Sequence, residues 1–491
     1  MSFRCHIGLI VCLLAAIPGY TQTESTLYFM TSLPQVVEAN PAIMPRYKTS
    51  IGLPGISSFG GVYANNGFAL GDYISNVDGV SKLDLSGWTK GLAEKNYVNL
   101  SAYADVFRVG LRINPKWYLT MSSTVKQYNS TMIPKGLATL LVDGTASIID
   151  SYSNTSPQQE FLAYMQTSVG AAYKINDHFT VGGRLKYING LANVTTENSS
   201  LIVQVDNNYQ ITVTGDALVK TSGISEARAD SYNLANNLGN NFGWGLDIGA
   251  SYKFMDKLII SASINDIGAI SWKNNTRQYA LDPTKAQYKF SGFDVNQLLD
   301  DNSDYLHQQL DSISSKFEMV EGTTGSYTTS LPTKFYLAGT YELMPNFSVG
   351  TLFFGESFRD RFSTGLTASV NKTFGRVVST SLTYTVSNRA YNNIGLGVSF
   401  NLSPVQIYVV GDNLLMAPAS MIAGDSFSDY INSSQLLTLR AGINIVFGWD
   451  KGLFKGDDVN DDSHNPKQKG PKTKTKNTFG RSPQKKSKVG R

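Results

Sequence analysis

The sequence predicts an all-β fold, a single transmembrane antiparallel β-barrel of about 14 strands, from three observations. Long runs alternate apolar and polar residues with period two, short connections between runs alternate with long ones, and a secretory leader holds both cysteines. In residues 242–254, Phe242, Trp244, Leu246, Ile248, Ala250, Tyr252 and Phe254 share one face. Gly243, Gly245, Asp247, Gly249, Ser251 and Lys253 share the other. Residues 376–387 and 391–402 repeat the pattern, with Leu382 and Val398 on one face and Thr383 and Ser399 on the other. Alternation of this kind marks a strand. The runs exceed the ~5–6 residues of soluble strands and match the ~9–11 that cross a bilayer at a tilt. A soluble sandwich would also bury one such face, but strand length and the leader favour the barrel.

The elements follow in chain order. Residues 1–22 read as a signal peptide: Arg4, an apolar run over 7–17, then Pro18-Gly19-Tyr20-Thr21. That run is too short to span a bilayer as a helix. Cys5 and Cys12 both lie within the leader, so the mature chain has no disulfide, thiol nucleophile or cysteine metal site. Residues 23–47 carry Asn40-Pro41-Ala42 and Pro45. The two prolines fix φ and remove donors, which excludes a regular helix or a central strand there. Taken alone, the stretch reads as a surface loop before the first strand.

From 48 to 448 the alternation and the turn residues predict strands at 48–64, 97–113, 117–127, 160–175, 179–190, 242–254, 258–272, 330–343, 346–356, 361–372, 376–387, 391–402, 404–412 and 434–448. Within 97–113 the apolar set changes phase, from Val98, Leu100, Ala102 and Ala104 to Phe107, Val109, Leu111 and Ile113. A β-bulge near Asp105-Val106 would produce that slip. Short turns such as Asn114-Pro115-Lys116 and Asn176-Asp177-His178 alternate with long segments at 128–159, 191–241, 273–329 and 413–433. In outer-membrane barrels the short turns face the periplasm and the long loops face outward, which puts both termini in the periplasm. Leu306, Leu310, Ile313, Phe317 and Val320 recur at helical spacing, so 294–321 is expected to be an amphipathic helix in an external loop. Residues 449–491 are expected to be a disordered basic tail. After Asp462 they supply ten cationic residues and no acidic one, so the chain's net charge of +4 describes the tail rather than the barrel.

The Asn40-Pro41-Ala42 kink ahead of the first strand, with the strand–turn–strand units at 169–191 and 243–272, resembles a superfamily of outer-membrane barrels. That superfamily includes FadL-like long-chain fatty-acid transporters and PorV-like subunits of type IX secretion. More narrowly, the chain is similar to a functionally uncharacterised barrel family within it, over about residues 40–450. The resemblance implies an N-terminal hatch folded into the barrel, with Asn40, Pro41, Ala42 and Pro45 as candidate hatch residues. It also implies a channel for a small hydrophobic or amphipathic solute. The alternative is a non-transporting accessory subunit of an outer-membrane secretion or assembly complex.

By alternation, the lumen receives Asp105, Arg108, Arg112, Lys174, Arg184, Lys186, Asp247, Lys253, Glu342 and Arg440. This set reads as an anion-favouring interior, or as side chains that pair with one another and with the hatch. No enzyme and no cofactor are expected. The histidines are His6 in the leader, His178 in a short turn, His307 in an external loop and His464 in the tail, none on a wall beside a nucleophile. Asp458, Asn460 and Asp462 resemble the start of a calcium loop, but Ser463 and Lys469 stand where the loop needs Gly and Glu. The expected partners are outer-membrane lipid, proteins met through the external loops or the basic tail, and anionic cell-wall groups met by the tail. Nucleic acid is not expected. Arginine at Leu382 is expected to destabilise the barrel, and arginine at Thr383 much less.

Overall fold

The computed structural model describes residues 25–66, 73–77, 80–224, 239–290, 311, 315–359, 361–387, 390–413 and 436–449. The expected signal peptide and the basic tail beyond residue 449 lie outside the described residues.

The alternating runs form fourteen antiparallel wall strands. They are β1 (Tyr47–Gly52, resuming as Phe59–Asn65), β2 (Lys95–Asn114), β3 (Trp117–Pro134), β4 (Gln158–Lys174), β5 (Phe179–Val205), β6 (Asn241–Met255) and β7 (Leu258–Trp272). β8 (Thr333–Met344), β9 (Phe347–Phe358), β10 (Arg361–Phe374), β11 (Val378–Ser387), β12 (Ala390–Leu402), β13 (Val405–Gly411) and β14 (Leu436–Trp449) complete the wall. Each pairs with its neighbours in sequence, and both pieces of β1 pair with β2 and β14, closing the ring. Closure removes the sheet edges that a bilayer would not tolerate.

The first strand is not continuous, contrary to the expected 48–64. Leu53-Pro54-Gly55 breaks it, because Pro54 has no N–H to donate and Gly55 takes a positive φ of 73°. The break meets an irregularity in β2, where the register shifts between Asp105 and Phe107 at the expected bulge. Gly55 N–H donates to the Asp105 carbonyl at 2.8 Å, and Asp105 N–H to the Ser58 carbonyl at 2.8 Å.

The outer surface is apolar. Leu382 is 46% exposed whereas its neighbour Thr383 is 2% exposed, and Phe242, Trp244, Tyr252 and Phe254 likewise face outward. Near the short turns, aromatic pairs line the wall: Trp117 with Tyr173 (ring centroids 4.5 Å apart) and Phe179 with Tyr252 (6.2 Å). Such a girdle is how a barrel meets the interface of a bilayer. Arginine at Leu382 should therefore cost about 2–4 kcal/mol if the site lies near the midplane. Urea unfolding in lipid measures this, and an unchanged transition would mean that position 382 does not face lipid. The mild effect expected at Thr383 needs correction: its hydroxyl lies 2.6 Å from that of Thr26, so an arginine there would strike a segment packed inside the wall.

On the side of the long connections, several strands rise beyond the ring. β5 continues into pairing with residues 211–222, which pair in turn with 276–281 and 287–290. The spans 128–159, 191–241 and 273–329 thus hold ordered strands and are not plain loops. The 294–321 helix lies mostly outside the described residues, and Val320, placed in its apolar stripe, begins the strand Val320–Thr323. The span 413–433 lies outside the described residues apart from Asn413.

Candidate functional site

Residues 25–46 run through the interior of the ring, and Tyr47, assigned to the hatch from sequence, opens β1 instead. The segment begins with a short helix, α1 (Ser25–Phe29), followed by a 3-10 turn at Pro34–Glu38. Its apolar side chains divide between three parts of the wall, Val37 and Met44 packing on Tyr118 of β3 and Ala172 of β4. Leu27, Met30 and Leu33 pack on Tyr408 and Val410 of β13. Tyr28, Phe29, Val36 and Ile43 pack on Tyr336, Leu352 and Phe354 of β8 and β9. Full burial of such side chains stabilises by about 1.5–3 kcal/mol each.

The polar groups fix the path. The Asp412 carboxylate accepts from Ser25 Oγ at 2.9 Å and Thr26 Oγ1 at 2.6 Å. Tyr28 shares a hydrogen bond with Ser261 of β7 (2.9 Å), and Gln35 Nε2 donates to Asn444 of β14 (2.9 Å). The Ala39 carbonyl accepts from Ser263 Oγ at 2.6 Å and Asn265 Nδ2 at 2.7 Å. These partners sit on opposite arcs of the ring, so the segment crosses the lumen.

Asn40 is fully buried. Its Oδ1 accepts from Ala42 N–H at 2.9 Å, the local turn that an asparagine before proline makes, while its Nδ2 donates to Tyr28 OH at 3.0 Å. The kink presses Pro41 against Gly182 of β5, and Asn40 and Pro41 against Gly249 of β6, so closely that a Cβ at either glycine would overlap them. Gly182→Val should therefore dislodge the segment from a barrel that still closes. Faster protease cleavage at residues 25–46 checks this, and unchanged protection would contradict it. Pro45 is held through its carbonyl, which accepts from Arg112 Nη2 at 2.7 Å.

The lumen charges are paired and do not form a cationic lining. Glu38 on the crossing segment bridges Arg108 and, at 3.0 Å, Arg440. Arg108 also donates to Asp105 at 2.8 Å, which the bulge turns inward. Burial, the largest influence, pushes the Glu38 carboxyl upward. Arg108 and Arg440, with Lys126 and Arg184 behind them, outweigh it and hold the group well below the usual carboxylate range. A second cluster centres on Asp247, with Lys186 at 2.6 Å and Arg184 at 3.4 Å. Lys174 and Lys253, expected in the lumen, sit instead at the short-turn rim, bridging Asp177 (2.8 Å) and Asp256 (3.5 Å) of the turns themselves. Glu342 also lies near a short turn.

Sequence reasoning missed Glu38, Lys126, Asp266, Lys334 and Glu356. Simple alternation would point Asp266 at lipid, but its φ of 59° and a register shift opposite Asp247 turn it inward to Lys186. A carboxylate at a lipid-facing position was the signal that could have found it. Lys126, Asp266, Lys334 and Glu356 line a cavity of about 100 Å³ with Tyr128 and Tyr164, and Glu38 and Ala39 of the crossing segment also border it.

Solved barrels show a remote likeness. A FadL homologue of Pseudomonas aeruginosa aligns at 10% identity and a TM-score of 0.42, covering 88% of this chain and 100% of its own. The toluene transporter TbuX of Ralstonia pickettii aligns at 9% and 0.43, with the same coverage. The toluene transporter TodX of P. putida aligns at 9% and 0.37, covering 87% of this chain and 94% of its own. Likenesses this remote carry no functional argument. No curated protein matches the chain. Residues 41–412, from the Pro41 kink through β13 to the carboxylate that holds α1, match the model described as Family of unknown function (DUF5723), and the chain belongs to that family.

Proposed function

We propose that the protein is an outer-membrane channel for a small hydrophobic or amphipathic solute, closed at rest by residues 25–46 acting as a hatch. The observation that carries this reading is the lumen itself. A closed, outwardly apolar wall holds the chain's own N-terminal segment beside a cavity, and the segment is joined to the wall through side chains rather than as a strand of the sheet. In this reading the short turns face the periplasm and both chain ends leave the barrel on that side. The test is uptake of labelled 6-aminohexanoate, which crosses bare lipid slowly, into proteoliposomes holding the full chain. Saturable uptake above protein-free liposomes is expected. None, even after the hatch is removed, would overturn the channel.

A second reading, an accessory subunit akin to the PorV-like proteins, is favoured by one feature: the sheet beyond the ring, where Tyr152, Tyr209 and Val320 are exposed. Absent flux together with a protein that co-purifies in stoichiometric amount would favour it.

A further inference from the structure

We infer that the lumen cavity binds the head of a zwitterionic solute, one carrying an ammonium and a carboxylate close together. The inference rests on the reading of the lumen as a solute path and names the solute's class. It comes from a contrast between two kinds of ion pair. Several lumen pairs are tight: Lys186 to Asp247 at 2.6 Å, Arg108 to Asp105 at 2.8 Å and, at the border of the cavity, Arg440 to Glu38 at 3.0 Å. Two pairs that line the cavity are loose, although Asp266 is also bound by Lys186 through its other oxygen. Lys334 Nζ of β8 stands 3.9 Å from Glu356 Oε2 of β9, and Lys126 Nζ of β3 stands 3.8 Å from Asp266 Oδ2 of β7.

A charge-assisted N–H···O bond spans about 2.7–2.9 Å, so neither loose pair is hydrogen-bonded. Glu356 is 4% exposed, and its Oε2 has no hydrogen-bond partner. A buried carboxylate oxygen without a donor is costly, and the cost is relieved by whatever brings a donor to it. Both lysines retain some exposure at the cavity, which leaves their ammonium protons within reach of a bound acceptor. A ligand ammonium at Glu356 and a ligand carboxylate between Lys126 and Lys334 would satisfy both sets at once, with Tyr128 and Tyr164 offering ring faces to a short apolar group. An amine alone would meet Glu356 but face two lysines. An acid alone would meet the lysines but face Glu356 and Asp266. A hydrocarbon would desolvate Glu356 and the two lysines without bringing any of them a partner.

The test is calorimetric titration of the detergent-solubilised full chain with valine, isobutylamine and 3-methylbutanoate. The three probes share one isobutyl-like body and differ only in charge. Valine should bind about tenfold or more tightly than either singly charged probe. Glu356→Gln should lower valine to the level of 3-methylbutanoate, and Lys334→Gln should lower it to the level of isobutylamine. Both variants are checked by heat-modifiable migration, and if either fails to fold, the ranking of the three probes on the wild type decides. Equal or tighter binding of a singly charged probe would overturn the inference, as would no binding of valine or valine binding unchanged in both variants. The readout is equilibrium binding, so valine bound by a barrel that carries no flux would uphold the site while overturning the channel.

Discussion

Deleting residues 25–45 should leave a folded barrel whose conductance in planar bilayers rises from near zero by roughly tenfold or more, since rings of this order leave a lumen when nothing fills it. The ring does not need the segment to close, because both pieces of β1 bond to β2 and β14 through their own backbones. What the deletion removes is the helix under Asp412, the kink against Gly182 and Gly249, and the carboxylate between Arg108 and Arg440. The exposed inner wall is rich in small polar groups, Thr367, Ser381, Thr383 and Thr385 among them, which water can solvate. Migration that still shifts on heating would confirm folding. Near-zero conductance in such a barrel would mean that another element closes the pore. The packed cluster of Tyr128, Tyr164, Ile188, Trp272, Tyr327 and Phe358 would then be the place to look.

Glu38→Gln should release the segment without removing it. The substitution keeps the shape and takes away the charge that faces Arg108 and Arg440. Breaking a buried pair by removing one partner costs about 3–5 kcal/mol, because charge is left behind in a poorly solvated site. Arg108 retains Asp105, and Arg440 retains Tyr103 and Ser58, so the loss should appear at the segment rather than as unfolding of the wall. Protease cleavage within residues 25–46 and brief channel openings are the readouts. The pH dependence follows from the lowered carboxyl. Its contribution is complete above the ordinary value of 4.5 and is lost as pH falls through the lower value held in the folded protein. The wild type should thus stay shut from neutral pH down to about pH 5 and loosen only in stronger acid. Glu38→Gln should already be loose at neutral pH and should not respond over that range. A wild type that opens between pH 7 and 5 would contradict the assignment, as would a tightly shut variant.

The residues by themselves determined the wall. Alternation is a property of the pleat, readable within a dozen residues, and it placed fourteen strands, the facing of Leu382 and Thr383, and even the bulge at Asp105, which announces itself as a slip in phase. It went astray where the local rule stops holding. Beyond the bilayer neither face needs to be apolar, so the continuations of β5 and its partners read as loops. At Asp266 a single left-handed φ reverses the facing that parity predicts. The prolines and Asn40 marked a segment that could not be a strand, but nothing local says that such a segment is buried.

Only the tertiary structure decided where that segment goes and which charges meet. Ser25 and the Asp412 that holds it are 387 residues apart in sequence, and Glu38 is placed between Arg108 and Arg440 because the ring closes β1 onto both β2 and β14. Lumen pairing depends on closure, shear and register summed around the whole barrel. Alternation can point a side chain inward, but only the closed ring sets what it finds there.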